Sequence, residues 1–300
     1  MQSITPPAAI SFVGMGVMGA AMAANIAKAG FALTVASRSR DKAAALEAGG
    51  ARWAASAAEA ARGAACVALC VPDTPDVEAV LFGPGGVAEA AAPGTVVIDF
   101  STIAAGATAS FAQRLLAERG AHLLDSPVSG GPQGAIDGTL TCMVGGDPAA
   151  FAAAAAVFRA VGKTVTHLGP SGSGQVCKAA NQLIITATMQ AVFEALAMGR
   201  KAGLDPATMR EALLGGSAKS AVLENHAQRL LDGKFTPGFR AELMRKDMRL
   251  AVAAMRDFGV HAPVTAVAAQ QMEATCNTGR ASLDVVALGL LVNELAGLGD

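Results

Sequence analysis

The chain is 300 residues long, enough for one large domain or two ordinary ones, and 52% of it is hydrophobic, ample for a buried core. A formal charge of -1, with 16% charged residues and no block of like charge, argues against nucleic acid as a partner. Five cysteines without framework spacing fit a reduced, cytoplasmic setting, and four histidines without ligand spacing give no expectation of a metal site.

The opening residues MQSITPPAAI lack a basic n-region, so neither an export signal nor a membrane partner is expected. From residue 9 to about 169, apolar runs alternate with helix-compatible segments. AISFVG, ALTVAS, CVALCV, TVVIDF, AHLLDSP and TCMVGG read as strands, which predicts an α/β domain with a doubly wound, mostly parallel sheet. The pattern breaks at HLGPSGSG, residues 167–174, and only helical stretches follow. Residues 1–169 therefore read as a Rossmann domain and residues 170–300 as a second, all-helical one. Within the latter, Asp205 before Pro206 predicts a helix start. The apolar run 183–199 carries Gln190 and Glu194 and reads as a helix buried on nearly all sides, between domains or subunits.

Directly after the first strand, Gly14-Met15-Gly16-Val17-Met18-Gly19 forms G-x-G-x-x-G at the mouth of a helix. The first glycine permits a tight turn, the second lets the backbone approach a pyrophosphate and the third lets helix and strand pack closely. The helix start offers free N–H groups to the phosphates. A plain tight turn is the alternative. At the end of the second strand, where a carboxylate would bind the ribose of NAD, the chain has Ser37 and Arg38. A guanidinium with no carboxylate beside it predicts NADP over NAD, with NAD still possible; a solvated arginine is the alternative.

Asp99-Phe100-Ser101-Thr102 and Asp125-Ser126-Pro127-Val128-Ser129-Gly130-Gly131 each follow a strand, at the sheet edge where ligands bind in such folds. Ser129 with the uncovered N–H groups of Gly130 and Gly131 could cradle a carboxylate, or the glycines could serve the loop's dihedrals alone. In GSGQVCKAANQL, Lys178 and Asn181 are three apart near a helix start and share one face. A lysine so placed can exchange a proton with an alcohol oxygen while hydride moves to or from its carbon.

Together GMGVMGAAMAANIAKAG, DSPVSGGPQGAIDGTL, GSGQVCKAANQL and FTPGFRAELMRKDM resemble the β-hydroxyacid dehydrogenase (3-hydroxyisobutyrate dehydrogenase-like) family, in order and spacing over residues 9–296. The resemblance implies an oxidoreductase in which Lys178 is the catalytic lysine and Asn181 holds it or the substrate. Ser129, Gly130 and Gly131 would anchor the substrate carboxylate. Val71, Pro72 and Thr102 would line the nicotinamide side, Lys246 would contact the cofactor, and Phe239 and Asp247 would shape the closed site. Phe239 as core, and Lys246 with Asp247 as an exposed pair, are the alternatives.

The same resemblance implies a homodimer or homotetramer and a small carboxylate substrate. The segment LLGGSAKSAVLENHAQRLLDGKFTPGF leans toward the reductases of short semialdehyde acids, tartronate semialdehyde above succinic semialdehyde, glyoxylate or 3-hydroxyisobutyrate. An imine reductase on the same scaffold is disfavoured because Lys178 stands beside S-G-G. A non-catalytic nucleotide-binding protein is disfavoured because it would first relax that lysine.

Overall fold

In a computed structural model, which describes residues 1–299, the chain divides into two compact units, Met1–Lys178 and the remainder from Ala179. The division falls inside a helix, Ser173–Lys201, and not at the Pro/Gly turn before it.

Among the described residues the first unit holds nine strands: β1 (Ala9–Val13), β2 (Ala32–Ala36), β3 (Arg52–Trp53), β4 (Cys66–Leu69), β5 (Val96–Asp99), β6 (His122–Asp125), β7 (Val128–Ser129), β8 (Leu140–Gly145) and β9 (Gly162–Gly169). They form one sheet in the order β3-β2-β1-β4-β5-β6-β8-β7, with β9 also on β8. Strands β1 to β6 pair in parallel. β8 runs antiparallel to β6 and β7, and β9 runs parallel to β8. Because chain order reverses between β1 and β4, their carboxyl ends flank the crevice where a doubly wound sheet takes its ligand.

Both faces of the sheet are covered, which is why β4 and β5 read as unbroken apolar runs. On one face Ile10, Phe12, Val35 and Ile98 pack with Met22 and Ile26 of the helix Val17–Lys28 and with Val157 and Phe158 of the helix Ala155–Val161. On the other, Val13, Val67, Leu69 and Val97 meet Val77, Leu81, Phe111 and Leu115. Phe12 is wholly buried and stacks 6.3 Å from Phe100; truncating a phenylalanine so placed costs about 3–5 kcal/mol.

The two-residue strands β3 and β7 were not read from the sequence, and neither were two longer elements. β9 is the longest strand, but its KTVTHL stretch is half exposed and holds only Val165 and Leu168 as apolar residues, so it lacks an apolar run. The loop read after β7 in fact winds into the helix Gly131–Asp137, with Pro132 in its first turn.

The second unit contains helices and one isolated bridge, Arg240 with Asp284. Asp205 caps the helix Pro206–Leu214 as expected, its carboxylate accepting from Thr208 N at 2.7 Å. Its core gathers Met189, Phe193, Met244, Met248, Met272 and Leu288. The long helix is only partly buried within the single chain, where Ile184 and Met198 are exposed. By length and composition alone that helix could also cross a membrane.

His226 lies in this unit. Burial pushes its imidazole down from the ordinary value, with the Asp284 carboxylate partly opposing. A folded histidine that takes a proton less readily than the unfolded one contributes full stability above about pH 6.5 and loses it as the pH falls below that. The thermal midpoint of the wild type relative to His226→Gln is therefore expected to fall between about pH 7.5 and about pH 5.5. A difference that stays constant with pH would contradict the neutral buried histidine.

Candidate active site

The strand register brings the predicted segments to one edge. Ala36, Val13, Leu69, Asp99 and Asp125, the last residues of β2, β1, β4, β5 and β6, are partners across the sheet. The residues that follow the first four of them, including Gly14, Ser37, Val71, Pro72 and Thr102, leave the sheet together, while Ser129 ends the short strand β7 that follows β6.

In the glycine loop the three positions do different things. Gly14 has φ +101°, and a Cβ there would collide with Cys70 O. A Cβ on Gly19 would collide with Gly14 O, so the helix Val17–Lys28 lies directly on the loop. A Cβ on Gly16 would meet nothing within 4 Å. Gly16 is the N-cap of that helix and no side chain caps its N–H groups. Met15 is buried, Met18 half-buried, and Val17 is 74% exposed. Open space over uncapped amides is the arrangement that receives an anion, and it fits the pyrophosphate of a dinucleotide. Beyond β2, Ser37 is half-buried and Arg38 is exposed.

On the other side of β1, the Val71 N–H donates to Ser101 Oγ at 2.9 Å, and Ser101 N donates to Asp99 Oδ1 at 2.8 Å. These bonds fix the Val71-Pro72 turn and the loop bearing Thr102 against each other. The Asp125 carboxylate at the end of β6 accepts from Gly172 N at 2.8 Å and from Gln175 N at 3.0 Å. It thus caps the helix Ser173–Lys201 from outside, where the helix dipole favours a negative charge. Burial pushes this carboxyl up from its ordinary range, while N–H groups of Gly172, Gln175 and Gly174 pull it back. Lys178, one turn into the helix and 8% exposed, donates from Nζ to Val128 O at 2.8 Å. The ammonium is thereby held beside Ser129, Gly130 and Gly131. Gly130 and Gly131 have φ of +131° and +63° and are exposed. The first unit therefore gathers the glycine loop, the Val71-Pro72 turn, Thr102, the segment Ser129-Gly130-Gly131 and Lys178 on one edge.

The second unit gathers the rest of the predicted set differently. Asn181 Nδ2 donates to Gln182 Oε1 at 2.7 Å, and Gln182 Nε2 donates to Asp247 Oδ2 at 2.6 Å. Asp247 is 3% exposed and lies 3.1 Å from Lys246 Nζ, so this is no exposed surface pair. Asn181, Gln182, Asp247 and Lys246 form one chain of polar contacts. Phe239 is half-buried against the unit's apolar core, its N–H directed at the Asp284 carboxylate, which also receives Gly238 N and Arg229. Arg240 pairs with Glu242 at 2.6 Å. Among the described residues no group of three or more His, Cys, Asp or Glu is placed to hold a metal ion.

Sequence reading assigned no role to four residues that organise these sites: Ser101, Asp125, Gln175 and Gln182. Gln175 could have been found from its spacing, three before Lys178 on one helical face. The bond between Asp125 and the helix start joins residues 50 apart in sequence, and no local pattern announces it.

Residues 9–169 match the family described as the NAD binding domain of 6-phosphogluconate dehydrogenase, and residues 172–291 match the NAD-binding domain of NADP-dependent 3-hydroxyisobutyrate dehydrogenase. The 2-hydroxy-3-oxopropionate reductase of Escherichia coli is 40% identical over 291 residues, covering 95% of this chain and 98% of that protein. Mycobacterium tuberculosis 3-hydroxyisobutyrate dehydrogenase, solved with L-serine, superposes with a TM-score of 0.88 at 29% identity, over 97% of this chain and 99% of that one. The protein Psf3, solved with NADP+ and 2-OPP, gives a TM-score of 0.85 at 25% identity, over 94% and 99%. With the G-x-G-x-x-G loop at the switch point of its sheet and these relatives along nearly its whole length, the chain belongs to the family of NAD(P)-dependent 3-hydroxyacid dehydrogenases.

Proposed function

We propose that the protein is an NADPH-preferring reductase of a small aldehyde acid, tartronate semialdehyde or one of similar length, running in reverse as an NADP+-dependent dehydrogenase of the 3-hydroxy acid. The observation that carries this reading is Lys178, buried and tied by Nζ to Val128 O beside the Ser129 cradle, on the edge that also bears the glycine loop. Tartronate semialdehyde is favoured because the 2-hydroxy-3-oxopropionate reductase matches at 40% identity over almost both full lengths.

Gly14, Met15, Gly16, Val17, Met18 and Gly19 would hold the pyrophosphate, with Val71, Pro72 and Thr102 toward the nicotinamide and Lys246 as a further contact. Bound there, a reduced nicotinamide cofactor would supply the hydride. Ser129 Oγ and the N–H groups of Gly130 and Gly131 would hold the substrate carboxylate, and Asn181 the substrate or the lysine. Lys178 Nζ would give a proton to the carbonyl oxygen as it becomes an alkoxide, and take the hydroxyl proton in reverse. Phe239 and Asp247 would shape the closed site. We place the cofactor domain at residues 1–169 and the substrate and dimerisation domain at 170–300, in a cytoplasmic homodimer or homotetramer. Exposed Ile184, Met198, Val260 and Val264 of the second unit support subunit contact.

The test is the initial rate of NADPH and NADH loss with tartronate, succinic and methylmalonate semialdehydes, glyoxylate and one cyclic imine. One aldehyde acid turning over well with NADPH is the expected result, and turnover of the imine alone contradicts the reading. Arg38→Ala is expected to reduce the preference for NADPH over NADH by about tenfold or more, since a charged bond to the 2′-phosphate is lost. A wild-type enzyme that prefers NADH by that factor would overturn the assignment of Arg38.

A further inference from the structure

We infer that Gln175 is a positioning residue of the active site: its side-chain amide locks the loop bearing Thr102 to the first turn of the helix that carries Lys178. The inference rests on the reading of Thr102 and Lys178 as active-site residues. Gln175 is 2% exposed. Its Nε2 donates to Ser101 O at 2.9 Å, and its Oε1 accepts from Ile103 N at 3.1 Å. One side chain thus pins the backbone on both sides of Thr102. Ser101 Oγ in turn receives the Val71 N–H, so the same amide also steadies the Val71-Pro72 turn. From its own backbone, Gln175 N donates to the Asp125 carboxylate, and Lys178 follows three residues later with Nζ on Val128 O. The segment toward the nicotinamide and the segment that supplies the proton are therefore joined through one residue whose side-chain amide is used on the protein backbone.

Only a carboxamide, or a protonated carboxyl, offers a donor and an acceptor side by side in one plane. Methionine keeps the length and loses both bonds. Ionised glutamate keeps the acceptor for Ile103 N but sets a negative oxygen against Ser101 O. Protonated glutamate restores both bonds. The charged side chains on the elements packed around this position are Asp125 from β6, Asp99 at the end of β5, Asp73 before the helix Thr74–Phe82 and Lys178 on its own helix. Burial and the neighbouring carboxylates favour the neutral form of a glutamate introduced there, Lys178 and the helix start oppose it, and the glutamate regains its proton as the pH falls.

The experiment measures kcat and the NADPH dissociation constant of wild type, Gln175→Met and Gln175→Glu. Gln175→Met is expected to lower kcat about tenfold and to weaken NADPH binding, because misplacement of a reacting group is costly even when it is small. For Gln175→Glu, kcat relative to wild type is expected to rise toward one as the pH falls from about 8 to about 5.5. Wild-type kcat and affinity in Gln175→Met, or a Gln175→Glu ratio flat with pH, would overturn the inference. Should Gln175→Met not fold, the Gln175→Glu ratio decides. Should the wild type turn over no aldehyde acid, the proposed function fails. The inference is then judged by NADPH binding alone, unchanged affinity in folded variants overturning it.

Discussion

Lys178→Ala is expected to lower kcat by roughly 10²-fold or more while leaving the NADPH dissociation constant within about twofold, since a group that moves a proton at the reacting oxygen contributes to the transition state alone. The side chain is 8% exposed, and its Nζ is fixed by Val128 O at 2.8 Å. That bond holds the nitrogen beside the Ser129 cradle. Lys178→Arg is expected to restore little, because a guanidinium keeps its proton at any accessible pH and carries a planar fork where a compact ammonium stood. Steady-state kinetics with cofactor titration separates the outcomes. A Lys178→Ala enzyme of near wild-type kcat would remove the lysine from the chemistry. A loss that appears wholly as weaker cofactor binding would recast it as a binding residue.

The second large effect lies in the glycine loop, where two substitutions of the same chemistry should fail in different ways. Gly19→Ala drives a methyl into Gly14 O, a backbone atom that cannot step aside without lifting the helix Val17–Lys28 off β1. Overpacking of that kind costs about 1–3 kcal/mol or more, so loss of thermal stability is expected together with loss of cofactor binding. Gly16→Ala places its methyl in open space, with nothing within 4 Å. It should fold with the wild-type melting temperature, yet bind NADPH about tenfold or more weakly because the methyl occupies the approach of the pyrophosphate. A Gly16→Ala protein that binds NADPH normally would show that the uncapped amides face no ligand. Equal melting temperatures for all three proteins would contradict the helix-on-loop contact.

The glycine loop was legible because its requirements are local: a turn, a close approach and a helix start, within six residues. The gathering of Val71 and Thr102 with it was legible for a related reason. Parallel strands of similar length in register deliver their following loops to one edge, and the register from Ala36 to Asp125 does so. Contacts that the sequence cannot encode by pattern stayed hidden. The Asp125 cap of the Lys178 helix, the Gln175 clamp on the Thr102 loop and the Gln182 bond to Asp247 each join residues 50 or more apart. β9 was missed because a half-exposed strand of threonines offers neither an apolar run nor a clean alternation of hydrophobic residues. The long helix was read as buried between domains or subunits, and in the single chain Ile184 and Met198 face outward. Composition reports that a surface is apolar, not which chain covers it.

The most direct test of the account is the destination of the hydride. Reduction of tartronate semialdehyde with NADPH deuterated at the reactive carbon, followed by mass and NMR analysis of the product, locates the transferred atom. One deuterium on the carbon that bears the new hydroxyl is the predicted result. NADPH consumption without label on that carbon, or no consumption with any short aldehyde acid, would contradict hydride transfer to the aldehyde at this site.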